Sequence, residues 1–505
     1  MRQPLHYSFP PPEHRHVLGS LTAGQLVSMA VTAMAALFGI VQPDPRPARI
    51  GAALLVLVMV AGVVCTPVRG RVMTGWLPVV TSHLLGRAAG RGDWRAASSA
   101  PRADAPTRVG VLGLPPELGE VTFLAYPHGG GMVGVAAERR AGRYTGVLEV
   151  NPPSFLLEEP SAQEEQLARW GALLARLAQP GSELDRLQWI VQRAPDEGSG
   201  LRRYFEQVRA RDLPEAAAAI RSYLDLLAGV SGSSDDGGGG GATASYRTLL
   251  AVQVSARTSA RAIRRAGGGD RGACAVLSQA LEMVTAGLGN LGAGGQHPLG
   301  VREYQGLLRL AADPAAQPIL DALAAARPER GWGSDAPWPV ATETRWGYYR
   351  TADHAWHRSF AVVLPMTEVG ADWLVPLLVE GTACRTVAVT LRSVPRQQAT
   401  RDAGRALTRL HAEEQRKRRL GQLAAATDAK AETAAHRRLR ELADGHADVV
   451  YAATVTVTAA GLDQLEVACR EVEHLAALAG CELRALDGQQ ALGFTWTLPL
   501  ARGLG

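Results

Sequence analysis

The sequence predicts an α+β protein with a membrane-spanning N-terminus, and three observations lead to this prediction. Two long apolar runs lie within the first 68 residues, and neither contains a charged side chain. After them, short β-type segments alternate with amphipathic helical segments in both halves of the chain. The 505 residues, 47% of them apolar, are also enough for two or three domains with cores of their own.

The first predicted element is a pair of transmembrane helices at residues 21–41 and 50–68. Neither run contains Asp, Glu, Lys or Arg. A 19-residue helix is about 29 Å long at roughly 1.5 Å per residue, which matches the hydrocarbon core of a bilayer. The eight residues between the runs include three prolines and three charges. We therefore assign residues 1–86 to a transmembrane helical hairpin.

Two other interpretations of these runs fit less well. A signal peptide cleaved near Ala33–Ala35 would end there, but the apolar run continues and a second run follows. The buried helix of a soluble protein would normally have a polar face, which neither run has. Arginines are more frequent in the flanks than in the turn, which predicts two cytoplasmic termini. We expect a two-pass protein of the inner (cytoplasmic) membrane, and spans without charges do not suggest an ion path.

The membrane hairpin is followed by a predicted linker and a first α+β module. Residues 87–108 are rich in Arg, Ala and Pro without periodicity, which is typical of a linker. The module covers residues 109–330, and its helix at 161–177 begins with a capping box of Ser161 and Glu164. Its other predicted elements are strands at "VTFLAY", "MVGVAAE", "YTGVLEV", 187–193 and 248–256, helices at 214–227, 257–288 and 301–312, and a flexible Gly-rich loop at 231–245.

Residues 331–505 form a second predicted α+β module with a similar order of elements. A long polar helical hairpin covers about 398–445, and a second helix covers 462–479. The predicted strands are "WLVPLLV", "RTVAVTLRSV", 451–459 and a final hairpin of "CELRAL" and "GFTWTLPL". Because strand, helix and strand recur in both halves, we predict two ferredoxin-like α/β modules with antiparallel sheets.

Several common catalytic and cofactor motifs are missing from the sequence. A P-loop needs Gly-Lys followed by Ser or Thr, and neither of the two lysines, Lys417 and Lys430, follows a glycine. The glycines of 129–134 match G-x-G-x-x-G, but the spacing favours a β-hairpin over a helix that could bind a dinucleotide. The five cysteines include no C-x-x-C and predict reduced thiols. We predict no catalytic, cofactor-binding or metal-binding residue and no enzymatic activity.

Two segments are candidate interaction surfaces. The segment 346–360, "WGYYRTADHAWHRSF", is the densest aromatic stretch, although its Asp353, His354 and His357 are weak as metal ligands. The helical hairpin contains the basic run "RKRR", but 401–448 has 11 basic and 8 acidic residues, so direct nucleic-acid contact is not expected. The candidate residues are Trp346, Tyr349, Arg350 and Trp356 in the first segment, and Arg416, Lys417, Arg418 and Arg419 in the second.

Several motifs together resemble one family. They are the N-terminal hairpin, the segment beginning "GVLEVNPPSFLLEEPSAQEEQLARW", the aromatic segment, "ELADGHAD", "ATVTVTAA" and "TWTLPLARGL". The chain resembles an actinobacterial family associated with conjugation and type IV secretion. In that family a PrgI-like membrane segment is joined to a body similar to the N-terminal domain of TraC/TrbE/CagE-type secretion ATPases. The resemblance does not include the motor domain of those ATPases. It therefore implies neither ATP hydrolysis nor any catalytic residue for this chain.

The resemblance implies a scaffold at the inner-membrane base of a conjugation-type channel. Its expected partners are a separate P-loop motor ATPase, other membrane channel subunits and the lipid bilayer. Whether the protein forms a homo-oligomer is left open. Whether the transported substrate is DNA or protein is also left open. Two alternatives stand beside this interpretation: an EccE-like component of type VII secretion, and a membrane-tethered enzyme whose site is assembled from distant residues.

Overall fold

In a computed structural model, the chain divides into two compact units. One contains Asp93–Leu486 and Gln490–Gly505, and the other contains Pro10–Gly92 with Asp487–Gln489. The structure describes residues 16–18, 21–22, 67–68, 71–90, 92–96, 114–152, 155–179, 181–195, 220–222, 244–351, 354–364, 369–419, 426–446 and 448–504.

Strands and helices follow one another throughout the larger unit. The strands are β1 (Asp93–Arg95), β2 (Thr122–His128), β3 (Gly131–Glu138), β4 (Arg143–Asn151), β5 (Leu184–Pro195), β6 (Ala244–Ser255), β7 (Gly294–Pro298), β8 (Ala341–Thr344), β9 (Tyr349–Thr351), β10 (Ala355–Val363), β11 (Cys384–Val394), β12 (Asp448–Ala459) and β13 (Glu482–Ala485). The helices are α1 (Pro160–Leu177), α2 (Ala260–Arg265), α3 (Gly269–Asn290), α4 (Val301–Ala312), α5 (Gln317–Ala326), α6 (Val375–Val379), α7 (Arg396–Arg419), α8 (Ala426–Ala443), α9 (Leu462–Leu478) and α10 (Gln490–Trp496).

The described part of the smaller unit consists of two short strand ladders and one helix. His16–Leu18 pairs with Leu21–Thr22, Pro67–Val68 pairs with Arg71–Val72, and a helix covers Met73–Ala88. The interior of both predicted membrane spans lies outside the described residues. The outer ends of the predicted spans, 21–22 and 67–68, are strands, so the prediction that they are helical is wrong.

Among the described residues, one helix is long and apolar enough to cross a membrane, and it is α3. Eleven of its residues are buried, and it packs on the sheet through residues such as Leu277 and Leu281. Its hydropathy therefore has a simple explanation, because a helix inside a protein core needs little polar surface.

All the strands described for the larger unit pair in one 13-stranded antiparallel sheet. Its order is β1-β8-β9-β10-β12-β11-β5-β6-β4-β3-β2, with β7 also paired to β4 and β13 also paired to β10. Gly129 and Gly130 form the β2–β3 turn, and the other glycines of the G-x-G-x-x-G match, Gly131 and Gly134, lie in β3. His128 pairs with Gly131, and Gly129 and Gly130 both have positive φ, as a two-residue hairpin turn requires. The β-hairpin predicted over 133–146 is confirmed, since β3 pairs antiparallel with β4 from Ala136 with Thr145 to Glu138 with Arg143.

The two halves of this sheet repeat one order of elements, strand–helix–strand–strand–helix–strand. In the first half these are β4, α1, β5, β6, α3 and β7, and in the second they are β10, α6, β11, β12, α9 and β13. The lateral orders also agree, since β5-β6-β4-β7 corresponds to β11-β12-β10-β13. The α7–α8 hairpin lies between β11 and β12, and the predicted Gly-rich loop lies at the equivalent position between β5 and β6. The loop residues 231–243 are outside the described residues.

The repeats meet through their equivalent strands, β5 and β11. Trp189 lies opposite Val389, and Leu187 lies opposite Leu391. Because equivalent strands of the two repeats pair antiparallel, the joint has the arrangement of a two-fold contact. The predicted boundary between residues 330 and 331 therefore does not separate two compact units.

Two arginines face each other at one end of this joint. Arg193 and Arg385 are register partners, and both are almost completely buried. Backbone carbonyl groups take the place of water, since Arg193 donates to Thr382 O at 2.7 Å and Arg385 donates to Leu377 O at 2.7 Å. Burial, and then the charge of Arg193, lowers the pKa of Arg385 to about 10. Carbonyl groups of the segment before β11 thus bind the two buried cations at the joint.

Alternation along the strands divides the core between the two faces of the sheet. On one face, α1 and α3 cover the first repeat, and α9 covers the second. On the other face, α4, α10 and the C-terminal segment cover residues from both repeats, including Ile190 and Ala388. The single core on this second face packs the two repeats together.

The C-terminal segment after α10 is held by buried side chains of the sheet. Gln188 donates from Nε2 to Trp496 O at 2.7 Å, and its Oε1 accepts from Ala501 N at 2.8 Å. Gln253 donates to Leu500 O at 2.9 Å. The predicted strand "GFTWTLPL" is wrong, because its first part is helical and the rest bonds to side chains instead of a neighbouring strand.

Three other sequence expectations need correction. "WLVPLLV" is not a strand, and α6 begins there with Pro376 in its first turn, where a missing N–H costs nothing. The predicted capping box at Ser161 does not form, since α1 begins at Pro160 and has no side-chain cap. Residues 93–95 of the predicted linker are a strand paired with β8. The predicted helical hairpin near 398–445 is confirmed as α7 and α8.

We predict that Gln188→Leu lowers the free energy of unfolding by about 2–4 kcal/mol, because it leaves the Ala501 N–H and the Trp496 carbonyl without partners in the core. Gln192→Leu, on a partly exposed residue of the same strand, is the matched control and should change stability by less than about 1 kcal/mol. Chemical unfolding of the full chain, followed by tryptophan fluorescence, measures both. Equal effects of the two variants would contradict the role given to Gln188.

Candidate functional site

The aromatic segment contains β9 and the first part of β10, and its residues lie on two opposite faces of the sheet. Tyr349 pairs with His357, and the next pair is Arg350 with Trp356. Because successive side chains of a strand point to opposite faces, the two pairs cannot belong to one surface. The four residues predicted from this segment are therefore not brought together as a group.

Tyr349 and His357 belong to the core. Tyr349 is 1% exposed and packs against Phe494 with 5.4 Å between ring centroids. Both ring nitrogens of His357 have hydroxyl partners, Thr351 at 2.7 Å and Thr458 at 2.9 Å. The prediction of Tyr349 as a surface residue is wrong, because its strand position points it inward.

Arg350 and Trp356 lie together on the other face. The Arg350 guanidinium lies 5.0 Å above the centroid of the Trp356 ring, and Nη1 donates to Glu343 at 3.4 Å. Tyr348 packs beside Trp356 with 4.8 Å between centroids. Trp346 is 37% exposed in the turn before β9. These partly exposed groups form a small aromatic and cationic surface, with the arginine already engaged by the ring and a carboxylate.

The second candidate surface lies at the end of α7. Arg416, Arg418 and Arg419 are exposed, and Lys417 lies between them in the helix. Arg418 pairs with Glu414 at 2.6 Å, one turn earlier. All four predicted residues therefore belong to the last turn of one helix, at the tip of the α7–α8 hairpin.

The basic surface is longer than the predicted run, and the spacing of arginines along α7 defines it. We name five exposed residues the arginine stripe; at 3.6 residues per turn they lie within an arc of about 80° and cover roughly 27 Å. The stripe consists of Arg401, Arg405, Arg409, Arg416 and Arg419. Helix α7 has eight basic and three acidic residues. Its net charge of +5 equals that of the whole chain.

The opposite side of α7 packs against α8 near the base of the hairpin. Ala399 and Ala403 pack against Leu442 of α8, and all three are buried. Arg396 donates to the Leu442 carbonyl at 2.9 Å. The hairpin is thus apolar at its base and exposes its arginine stripe to solvent. The first three stripe residues follow an i, i+4, i+8 pattern that the sequence already contains, and Arg405 also pairs with Asp402 at 3.6 Å.

A charged cavity of about 430 Å³ lies elsewhere, beside the C-terminal segment, and is lined by Glu117, Glu138, Arg186 and Arg502 among others. Arg502 and Glu138 pair at 2.9 Å. Burial raises the pKa of Glu117 and lowers the pKa of Arg186. A carboxyl group with a raised pKa can act as a general acid, so Glu117 is the residue of interest for the enzyme alternative.

The described cysteines are not activated nucleophiles. Burial raises the pKa of Cys274, Cys384 and Cys481 to about 11 and that of Cys469 to about 12. A reactive cysteine needs a lowered pKa and an electropositive, accessible environment. Cys274, Cys469 and Cys481 fill core space instead, and Cys384 is partly buried.

We predict that Tyr349→Ala destabilises the protein by about 3–5 kcal/mol, since it removes a buried aromatic ring from the core. Trp346→Ala, in the neighbouring exposed turn, should cost about 1 kcal/mol or less. Chemical unfolding of the two variants in parallel distinguishes a core residue from a surface residue. A small effect of Tyr349→Ala would contradict its assignment to the core.

His357 should make the protein less stable in acid. Burial lowers the pKa of His357 from 6.5 to about 3, so the folded state keeps it neutral while the unfolded chain takes up a proton. The stabilisation is present above pH 6.5 and is lost as the pH falls towards 3, at up to about 1.4 kcal/mol per pH unit. His357→Gln should flatten the pH dependence of the unfolding free energy over this range. Parallel curves for the two proteins would contradict the assignment.

Scans against known protein families returned no match for this chain, and a search of curated protein sequences returned none either.

Proposed function

We propose that this chain is a non-enzymatic inner-membrane scaffold of a conjugation-type secretion apparatus, which docks a separate P-loop motor ATPase. The arginine stripe on the α7–α8 hairpin carries the proposal, because it is a long cationic surface on a pair of helices that pack together near the base of the hairpin. A motor that moves DNA or protein through a membrane must be held at the channel mouth. A membrane anchor joined to a docking surface performs that task.

The anchor in this proposal is the N-terminal hairpin. Its support is the sequence, in which two runs long enough to cross a bilayer contain no charge and are joined by a proline-rich turn. The spans would lie inside residues 23–66, because both outer ends of the runs are strands. The proposed topology has both termini in the cytoplasm, and the body then faces the cytoplasmic motor.

The body would consist of two ferredoxin-like modules joined edge to edge. Support comes from the order strand–helix–strand–strand–helix–strand in both repeats and from their identical lateral strand order. A module of this kind has one open strand edge on each side. In this chain β5 and β11 use one such edge of each module for the joint, and a docking partner would meet the remaining surfaces.

The arginine stripe predicts the chemistry of the partner surface. Five guanidinium groups along roughly 27 Å attract an acidic protein surface and speed up the encounter with it. Each exposed ion pair contributes only about 0.2–1 kcal/mol, so the stripe would act through several pairs at once. Such docking would weaken as the salt concentration rises.

One observation favours the enzyme alternative, and it is the cavity at Glu117. A buried carboxyl group with a raised pKa beside several arginines is a combination found in catalytic sites. The ion pair of Arg502 with Glu138 gives the same residues a structural role, since it fastens the C-terminal segment to β3.

The test is affinity purification of the tagged full-length protein from gently solubilised host membranes, with mass spectrometry of the proteins that accompany it. We predict recovery of a P-loop secretion ATPase. Replacing Arg401, Arg405 and Arg409 by Glu should reduce that recovery at least about tenfold, since attraction becomes repulsion at each position. The matched control replaces the exposed Arg261, Arg264 and Arg265 of α2 by Glu, which changes the net charge equally and should leave recovery unchanged.

Each other outcome has a definite meaning. Recovery without a secretion component, or from the soluble fraction alone, would overturn the scaffold proposal. Equal loss in the α2 control would show that only net charge matters and would remove the arginine stripe as the docking surface. A third outcome would favour the enzyme alternative. In that outcome no motor ATPase is recovered with the tagged protein, and the Glu117→Gln substitution abolishes a function of the host.

A further inference from the structure

Three side chains with metal-binding atoms meet between the two helices of the hairpin. His411 of α7 has its Nε2 atom 3.0 Å from Oε1 of Glu432 in α8, and Nε2 of His436 lies 4.0 Å from the same oxygen. The candidate ligand atoms of the three residues all lie within 4.8 Å of one another. The two imidazole rings are 6.3 Å apart between centroids. One point between the helices is therefore surrounded by two imidazoles and a carboxylate.

Helical spacing explains how the group is assembled. Glu432 and His436 are four residues apart in α8 and so share one face of that helix. The antiparallel α7 supplies His411 to the same place, 21 residues earlier in the chain. None of the three is needed to fill the core, because His411 and His436 are exposed and Glu432 is half-buried.

The donor set matches the chemistry of a late first-row divalent metal. Two imidazoles and one carboxylate are a common three-ligand set for Zn²⁺, which leaves a fourth position for water. Zinc–ligand distances of about 2.0–2.2 Å put tetrahedral donor atoms roughly 3.3–3.5 Å apart. The distance of 3.0 Å is slightly short of this separation and that of 4.0 Å slightly beyond it. Side-chain rotations at exposed positions can supply adjustments of this size without moving the helices.

A simple ion pair is the competing explanation, and it accounts for less of the arrangement. Glu432 with His436 at i, i+4 is an ordinary helical pair. That pair does not require a second imidazole from another helix on the same carboxylate oxygen. A metal ion, by contrast, binds imidazoles from both helices and the carboxylate at one point.

We propose that His411, Glu432 and His436 form a binding site for a zinc-like divalent metal that fastens α7 to α8. The site lies between the apolar base at Ala399 and Ala403 and the basic tip at 416–419. A bound ion there links the two helices at a second point and fixes the helical phase of α7. The orientation of the arginine stripe then depends on the metal, although the site itself does not depend on any docking role.

The test is a titration of the purified full-length protein, first stripped with a chelator, with Zn²⁺ in a calorimeter. We expect one saturable zinc per chain. His411→Ala and His436→Ala should each weaken binding at least about tenfold, because even the loss of an outer-shell partner of a metal ligand costs 10–100-fold. His474→Ala, on an exposed residue of α9, is the matched control and should bind zinc like the parent protein.

Hydrogen exchange gives a second readout that thiol binding or non-specific binding would not change. Zinc should slow amide exchange in α7 and α8 of the parent protein and of His474→Ala, and should leave it unchanged in His411→Ala. Circular dichroism checks that the variants fold, and Glu432→Gln removes the anionic ligand with little change in size. Absence of saturable binding, or equal binding in the parent protein and both histidine variants, would overturn the proposal.

Discussion

The antiparallel pairing of β5 with β11 is the constraint on which the architecture of the larger unit depends. Each repeat alone would expose one of these strands as an open edge with a row of unpaired backbone groups. The joint satisfies both edges at once and extends one sheet across both repeats. It also aligns Ile190 with Ala388, so that α4, α10 and the C-terminal segment can cover both repeats with a single core. This register also buries Arg193 and Arg385 as partners, and backbone carbonyl groups surround the two cations.

The same joint determines where the repeats can differ. Both have their largest insertion between the second and third strands, at β5–β6 and at β11–β12. In the second repeat this position holds the α7–α8 hairpin, which begins directly after a long paired strand and returns into another. A hairpin with such a rigid base can present an extended charged face without help from the core. Charge concentrated in α7, on an element that contributes little to the core, is more consistent with recognition than with folding.

Local patterns predicted much of the secondary structure, and distant contacts account for what they missed. The helix at 301–312 and the strands at 187–193 and 385–394 have clear periodicity, and the structure has them there. No local pattern specifies that β5 pairs with β11, 200 residues later, and the second core depends on that pairing. The aromatic composition of its segment predicts a surface position for Tyr349. Its burial is decided instead by the face of the strand on which it lies, which is opposite to that of Trp356. The segment "GFTWTLPL" has strand-like composition, but Gln188 and Gln253 bind its backbone. The grouping of His411 with Glu432 and His436 depends on how α7 packs on α8, which spacing alone does not reveal.

The antiparallel pairing of equivalent strands at the joint has a further consequence. A contact made by the same edge of two equivalent units is isologous, the type of contact that builds symmetric homodimers. Covalent linkage of the units replaces dimerisation with an intramolecular step, so the contact no longer depends on the abundance of the protein. Covalent linkage also allows the two repeats to differ in sequence. One repeat can evolve a helical hairpin with an arginine stripe and a pair of imidazoles while the other repeat keeps a different insertion. The two identical subunits of a homodimer could not differ in this way.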